Sequence, residues 1–233
     1  MTNLFIVSDI HGMYPQFEQM LKHWENSDKL VILGDLIDRG AYSRQVVQKA
    51  MELQAEYGTE HVIVLKGNHE DMFGYFLDGL MDPELFLKHG GRQCLQSFLG
   101  EYDETNLAAV RAALVEQFSD EIAFMRNARQ YYTIGRLLIT HAGFDSEHTD
   151  WFQTKRENFL WTRKHYLKPN VTGLVNVFGH TPVRDIHEDG RDDIWMSKCG
   201  TYIGIDGGCA YGGQLNGLVI SEDGKVQKEY VVK

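Results

Sequence analysis

Five apolar runs lie along the chain, and each ends abruptly in glycine or in a polar side chain. Leu4-Phe5-Ile6-Val7 leads into Ser8-Asp9, Leu30-Val31-Ile32-Leu33 into Gly34-Asp35, and Val62-Ile63-Val64-Leu65 into Lys66-Gly67-Asn68. Leu137-Leu138-Ile139-Thr140 leads into His141, and Leu174-Val175-Asn176-Val177-Phe178 into Gly179-His180. Short apolar runs bounded by turn residues read as buried strands. Between the second and third, Val46, Val47, Ala50, Met51 and Leu53 recur at helical spacing, which predicts a helix over residues 41–56 with Gly58 as its stop. That crossover helix makes the strands on either side of it parallel.

Residues 71–129 carry no convincing strand pattern. Leu107, Val110, Leu114 and Phe118 recur at helical intervals behind Asp103 and Thr105 as caps, and Pro83 and Gly90-Gly91 interrupt the earlier part. The segment is expected to be a helical cap insertion within a single domain spanning residues 1–233. Tyr131 to Thr140 then reads as two short strands around Gly135-Arg136, and residues 145–170 as an irregular, partly helical loop. From Ile194 onward, Ile203-Gly204-Ile205, Leu215 to Ile220 and Val226 to Val232 suggest a terminal β-meander. The expected architecture is two β-sheets packed face to face with helices outside.

Composition narrows the setting. The chain is 43% hydrophobic, ordinary for a globular domain, and its formal charge of -10 argues against nucleic acid as a partner, whose phosphates need a basic surface. No apolar run approaches the length of a membrane span. The first strand begins by Leu4, which leaves no room for a signal core, and Cys94, Cys199 and Cys209 are too scattered for a disulfide framework. A cytoplasmic protein without membrane or nucleic-acid partners is the expectation. The same scatter disfavours a cysteine nucleophile.

The polar residues at the strand ends carry the chemistry. Asp9 and His11 stand two apart, so both face the same way in an extended segment. Asp35, Asn68, His141 and His180 follow four further strands, and open α/β sheets bind ligands beyond the carboxyl ends of their strands. One aspartate or histidine there is usually a turn former or a solvated side chain; five in series point to one site. Oxygen and nitrogen donors without thiolate favour a divalent first-row ion, and these donors exceed what one tetrahedral site needs. A two-metal centre bridged by Asp35 fits better. The glycine-rich stretch Asp206 to Gly213 lacks the Gly-Lys-Ser/Thr of a phosphate loop and reads as a turn against that site.

In this order the motifs resemble the calcineurin-type metallophosphoesterases, and within them the phosphoprotein phosphatase branch with its small bacterial and phage protein phosphatases. The pattern is Asp9-x-His11, Gly34-Asp35-x-x-Asp38-Arg39-Gly40, Gly67-Asn68-His69-Glu70, His141-Ala142-Gly143 and Gly179-His180-Thr181, spanning residues 8–181. The resemblance implies an α/β four-layer sandwich of two mixed sheets. It also implies two divalent ions, manganese first, with iron, zinc or magnesium as alternatives. One ion would be held by Asp9, His11 and Asp35, the other by Asp35, Asn68, His141 and His180. His69 corresponds to the leaving-group acid and Asp38 to the carboxylate that orients it. Arg39, Asn68 and Arg163, the last in Trp161-Thr162-Arg163, correspond to phosphate-binding residues.

The implied reaction is in-line attack of a metal-bridging hydroxide on a phosphomonoester. Asp38 favours a serine/threonine or dual-specificity protein phosphatase acting on a phosphorylated protein or peptide. The segment Gly208 to Leu215 resembles the symmetrical bis(5'-nucleosyl)-tetraphosphatases, whose substrates are nucleotide polyphosphates. A third reading, a catalytically silent scaffold of this fold, would require lost ligands or a lost acid.

Overall fold

The computed structural model describes residues 2–233. In chain order the strands are β1 (Asn3–Val7), β2 (Lys29–Ile32), β3 (Val62–Val64), β4 (Tyr131–Ile134), β5 (Leu137–Thr140), β6 (Val175–Phe178), β7 (Trp195–Met196), β8 (Tyr202–Gly204), β9 (Leu215–Ser221) and β10 (Val226–Val232). The helices are α1 (Tyr14–Leu21), α2 (Ser43–Tyr57), α3 (Asn68–Leu77), α4 (Pro83–Phe86), α5 (Arg92–Leu99), α6 (Leu107–Gln117), α7 (Ser119–Asn127) and α8 (Arg156–Trp161).

Two mixed five-stranded sheets form, ordered β10-β9-β1-β2-β3 and β4-β5-β6-β8-β7. The pairs β1–β2, β2–β3, β5–β6 and β6–β8 are parallel, and β10–β9, β9–β1, β4–β5 and β8–β7 are antiparallel. The period of two along each strand divides the core. Leu4, Ile6, Val31, Leu33, Ile63, Leu218 and Ile220 of the first sheet meet Leu137, Ile139, Val175, Val177, Ile203 and Ile205 of the second, all fully or almost fully buried. The intervening Phe5, Val7, Leu30, Ile32, Val62 and Val64 face the other way, onto Phe17 and Met20 of α1 and Val46, Val47 and Ala50 of α2. A smaller cluster of Leu138, Phe144, Phe159, Phe178 and Tyr202 covers the outer face of the second sheet. The result is the four-layer sandwich expected of the motifs.

Two expectations need correction. The chain after Ile194 is not one meander: β7 and β8 complete the second sheet beside β6, whereas β9 and β10 cross to the first, where β9 pairs with β1. A period-2 pattern fixes which residues face the core, not which strand lies alongside. The cap of α6 is Asn106, whose Oδ1 accepts the Ala109 N–H at 3.2 Å. Asp103 instead closes the turn before it, accepting from Thr105 N at 2.9 Å and Thr105 Oγ1 at 2.6 Å. Only Asn106 stands where its side chain can meet an orphan donor of the first helical turn.

A candidate two-metal centre at the sheet edge

Six parallel strands, β1, β2 and β3 from one sheet and β5, β6 and β8 from the other, point their carboxyl ends at one edge. The loops that leave them carry Asp9 and His11, Asp35 to Arg39, Asn68 and His69, His141, His180, and Asp206. These side chains are buried, except that Arg39 is half-buried. The turns are tight: Asp9, His11, Asp35, Asp38, Arg39 and His180 all have positive φ, between 48° and 73°. Non-glycine residues rarely adopt this region, at a cost of order 1 kcal/mol or more each, and such strain gathers at functional sites. Apart from these six, Lys164, next to Arg163, is the one non-glycine residue with positive φ among those described.

The fixing contacts run between the two sheets. Asp9 Oδ2 accepts the His180 N–H at 3.0 Å and also the Ser8 hydroxyl. A Cβ at Gly179 would strike both Ser8 Oγ and Asp9 Oδ2. His141 Nδ1 donates to Leu33 O at 2.8 Å, and its Nε2 stands 3.0 Å from Asn68 Oδ1. His11 Nδ1 donates to Ile37 O at 2.8 Å. These second bonds set the tautomer, turning the Nε2 lone pair of each ring towards the site. Glu70 ties the Asp35 loop to the start of α3. Its Oε2 accepts from Asp35 N at 2.9 Å and Gly67 N at 2.8 Å, and its Oε1 from Leu36 N at 2.8 Å.

Two sets of donors each converge within 4.8 Å: His11, Asp35 and His69, and Asp35, His141 and His180. Asp35 belongs to both, as a bridging carboxylate must. Asp9 falls outside both sets, although its Oδ1 lies 3.9 Å from His11 Nε2. The expected partition placed Asp9 in the first group; the tighter convergence there comes from His69. The donor set fits divalent ions on two counts. His180 Nε2 is buried with no hydrogen-bond partner. Burial holds His11, His141 and His180 below the usual imidazole range, so they are neutral and able to ligate. Burial, with the neighbouring Asp9 carboxylate, pushes Asp35 up to about 6 and Asp206 well above the carboxylate range. A cation would relieve that repulsion.

Beside these groups, His69 Nδ1 lies 2.5 Å from Asp38 Oδ2, both fully buried. Burial favours the neutral form of each, lowering His69 and pushing Asp38 up to about 8. The Arg39 guanidinium reaches both His11 Nε2 and, at 2.9 Å, His69 Nε2, and it stacks on Tyr211 with 4.8 Å from Cζ to the ring centroid. Arg163 donates to His180 O at 3.1 Å and is held at the rim. Asp9, His11, Asp35, Arg39, Asn68, His69, Arg163, His180, Asp206 and Tyr211 line one cleft of about 1140 Å³. Its opposite wall comes from the helical segment, through Met72, Tyr75, Leu80, Met81, Leu85 and His89.

Sequence reasoning set the stretch from Asp206 to Gly213 against this site but gave Asp206 itself no role, as it gave none to Ser8 or Arg184, nor to Glu70 beyond motif membership. For Asp206 a signal existed, since Ile203-Gly204-Ile205 ends in Asp-Gly as the other strands do.

The chain of a bis(5'-nucleosyl)-tetraphosphatase PrpE [asymmetrical] from Anoxybacillus flavithermus is 26% identical over 240 residues, covering 91% of this chain and 88% of that one. The crystal structure of a putative diadenosine tetraphosphatase superposes with a TM-score of 0.65 at 20% identity, over 99% of this chain and 93% of that one. A protein serine/threonine phosphatase from Saccharomyces cerevisiae, with similarity to human phosphatase PP5, gives a TM-score of 0.65 at 11% identity, over 100% and 80%. These two structures share the fold. The profile of the calcineurin-like phosphoesterases matches residues 2–216. With its strand-end His/Asp clusters and its two-sheet sandwich, this chain belongs to the calcineurin-like phosphoesterase family.

Proposed function

We propose that the protein hydrolyses phosphomonoesters by in-line attack of water on phosphorus, most simply those of phosphoserine and phosphothreonine in a protein or peptide. Asp9, His11 and Asp35 would hold one divalent ion, and Asp35, Asn68, His141 and His180 a second. Bound ions supply an activated water near neutral pH and offset phosphoryl charge. The observation that carries the reading is the buried Asp38–His69 pair at 2.5 Å beside the two donor groups. Asp38 would fix the ring through Nδ1, so that a proton carried on Nε2 could pass to the departing oxygen. An alkoxide needs that proton, because it is a poor leaving group. Arg39 and Arg163 offer forked donors to the phosphoryl oxygens, together with the Asn68 amide. The helical segment 71–129 acts as a cap within one domain, closing the far wall of the cleft.

A second reading, hydrolysis of a nucleoside polyphosphate, is favoured by the name of the Anoxybacillus relative and by the volume of the cleft, about 1140 Å³. Manganese is the ion to try first, with zinc, iron and magnesium beside it. The deciding assay compares phosphoserine, phosphothreonine and phosphotyrosine peptides with diadenosine tetraphosphate under one manganese condition. Preference for the peptides supports the first reading, and preference for the dinucleotide the second. Turnover of none of them with any of the four metals would leave a scaffold. Among the described residues no helix is long and apolar enough to cross a membrane.

A further inference from the structure

The glycine-rich loop Asp206 to Gly213 is a conspicuous motif that the proposed chemistry leaves unused. In the fold it is a seat for one arginine. Arg184 lies on the short 3-10 turn Val183–Asp185, four residues past His180, and that turn is tied to the loop by the bond from Val183 N to Asp206 O at 2.8 Å. A Cβ at Gly213 would stand 2.5 Å from Arg184 Nη2, and one at Gly208 would stand 3.3 Å from it. The glycines therefore let the guanidinium lie against bare backbone. Asp192 Oδ1 accepts from Arg184 Nε at 2.7 Å, which fixes the plane of the fork, and this is the one hydrogen bond of the Arg184 side chain among the described residues. Both Nη groups keep their donors.

Arg184 lines the same cleft as the metal-site residues, on the wall with Pro182, Asp185, Asp206 and Tyr211. Arg163 donates to the His180 carbonyl, and Arg184 follows His180 by four residues on the wall of the same cleft. Arg39 stacks on Tyr211, within the same glycine loop. One transferred phosphoryl group, held by Arg39 and Arg163, does not require a third fork farther along the wall. The carboxylates of Asp185 and Asp192 argue against a general basic patch, since they leave a single oriented donor pair rather than a positive surface.

We propose that Arg184 is a specificity-determining residue that binds a second phosphate, linked to the one undergoing hydrolysis, so that the cleft accepts substrates with at least two consecutive phosphates. This rests on the second reading above, hydrolysis of a nucleoside polyphosphate, since a phosphoserine or phosphothreonine ester carries no second phosphate for the subsite. A bidentate guanidinium–phosphate contact contributes about tenfold or more in affinity.

The test measures kcat/KM for inorganic tripolyphosphate and for p-nitrophenyl phosphate in the manganese-loaded wild type, Arg184→Gln and Arg184→Lys, with tripolyphosphate and orthophosphate binding followed by calorimetry. The expected result is a fall of at least about tenfold in the ratio of tripolyphosphate to p-nitrophenyl phosphate kcat/KM in Arg184→Gln, through KM, with a smaller fall in Arg184→Lys. The wild type should also bind tripolyphosphate more tightly than orthophosphate, and Arg184→Gln should lose that preference. An unchanged ratio in both variants, or an equal loss on both substrates, overturns the proposal. Should the wild type turn over neither compound, the phosphoesterase reading falls. Calorimetry still decides the subsite in that case, and equal affinity of wild type and Arg184→Gln for tripolyphosphate overturns it.

Discussion

Glu70 offers the sharpest single test of how the centre is held. Its carboxylate is buried and accepts three backbone N–H bonds, from Asp35, Leu36 and Gly67 at 2.8 to 2.9 Å. In Glu70→Gln one carboxylate oxygen becomes an amide that donates. With the amide oxygen facing Asp35 N and Gly67 N, the new NH2 meets the Leu36 N–H; flipped, it meets the other two. At least one buried N–H is left without an acceptor, and the remaining bonds lose their charge assistance. A hydrogen bond to a charged group contributes about 1.5–3 kcal/mol and an orphaned buried donor costs a similar amount, so a loss of about 3 kcal/mol is expected. For a chain of 233 residues that lowers Tm by roughly 6–12 °C. The same loosening frees the Asp35 backbone, so manganese affinity should fall in parallel. Calorimetric melting with and without metal, together with a manganese titration, measures both. A melting shift smaller than about 2 °C with wild-type metal affinity would mean that Glu70 does not position Asp35.

His69→Asn should leave metal stoichiometry nearly intact and slow esters with basic leaving groups far more than p-nitrophenyl phosphate; equal slowing across a leaving-group series would remove the acid role. Asp35→Asn should weaken both metal sites together, because Asp35 joins both donor groups, and loss of one ion alone by equilibrium dialysis would refute the bridge. His165 is buried, donates through Nε2 to Asn176 Oδ1 at 2.9 Å, and is pushed by burial down to about 4 from an ordinary 6.5. The unfolded chain therefore takes up this proton below about 6.5 while the native ring resists until about 4. Its contribution is fully present above pH 6.5 and is lost as pH falls towards 4, by roughly 3 kcal/mol. Urea unfolding across this window should show a shallower pH dependence in His165→Gln, and parallel curves would show that His165 does not titrate there.

Much of the site was legible because its residues follow apolar strands, and a strand that ends in a buried sheet delivers its next side chain to the edge. Asp9, His11, Asp35, Asn68, His69, His141 and His180 all converge for this reason. Strand partners were not legible: Leu215 to Ser221 alternates no differently from Tyr202 to Gly204, yet β9 joins the first sheet and β8 the second. Nor was the strain, since positive φ at Asp9, Asp35 and His180 is imposed by tertiary packing against residues far away in sequence. Arg184 carried no local signal, because its place depends on glycines more than twenty residues later.

The pairing of β1 with β9, which sets Asn3 against Ser221 and Val7 against Gly217, bears on how the protein is made. By the time Thr181 has left the ribosome, every proposed metal ligand has been synthesised. At that moment β1 still has an open edge, and Leu4 and Ile6 lack their in-sheet neighbours Ile220 and Leu218 of β9. A contact spanning more than two hundred residues is slow to form and leaves the nascent chain exposed to aggregation. The centre is thus encoded early and completed last. A nascent chain arrested before residue 215 should fail to retain metal, although it contains every proposed ligand.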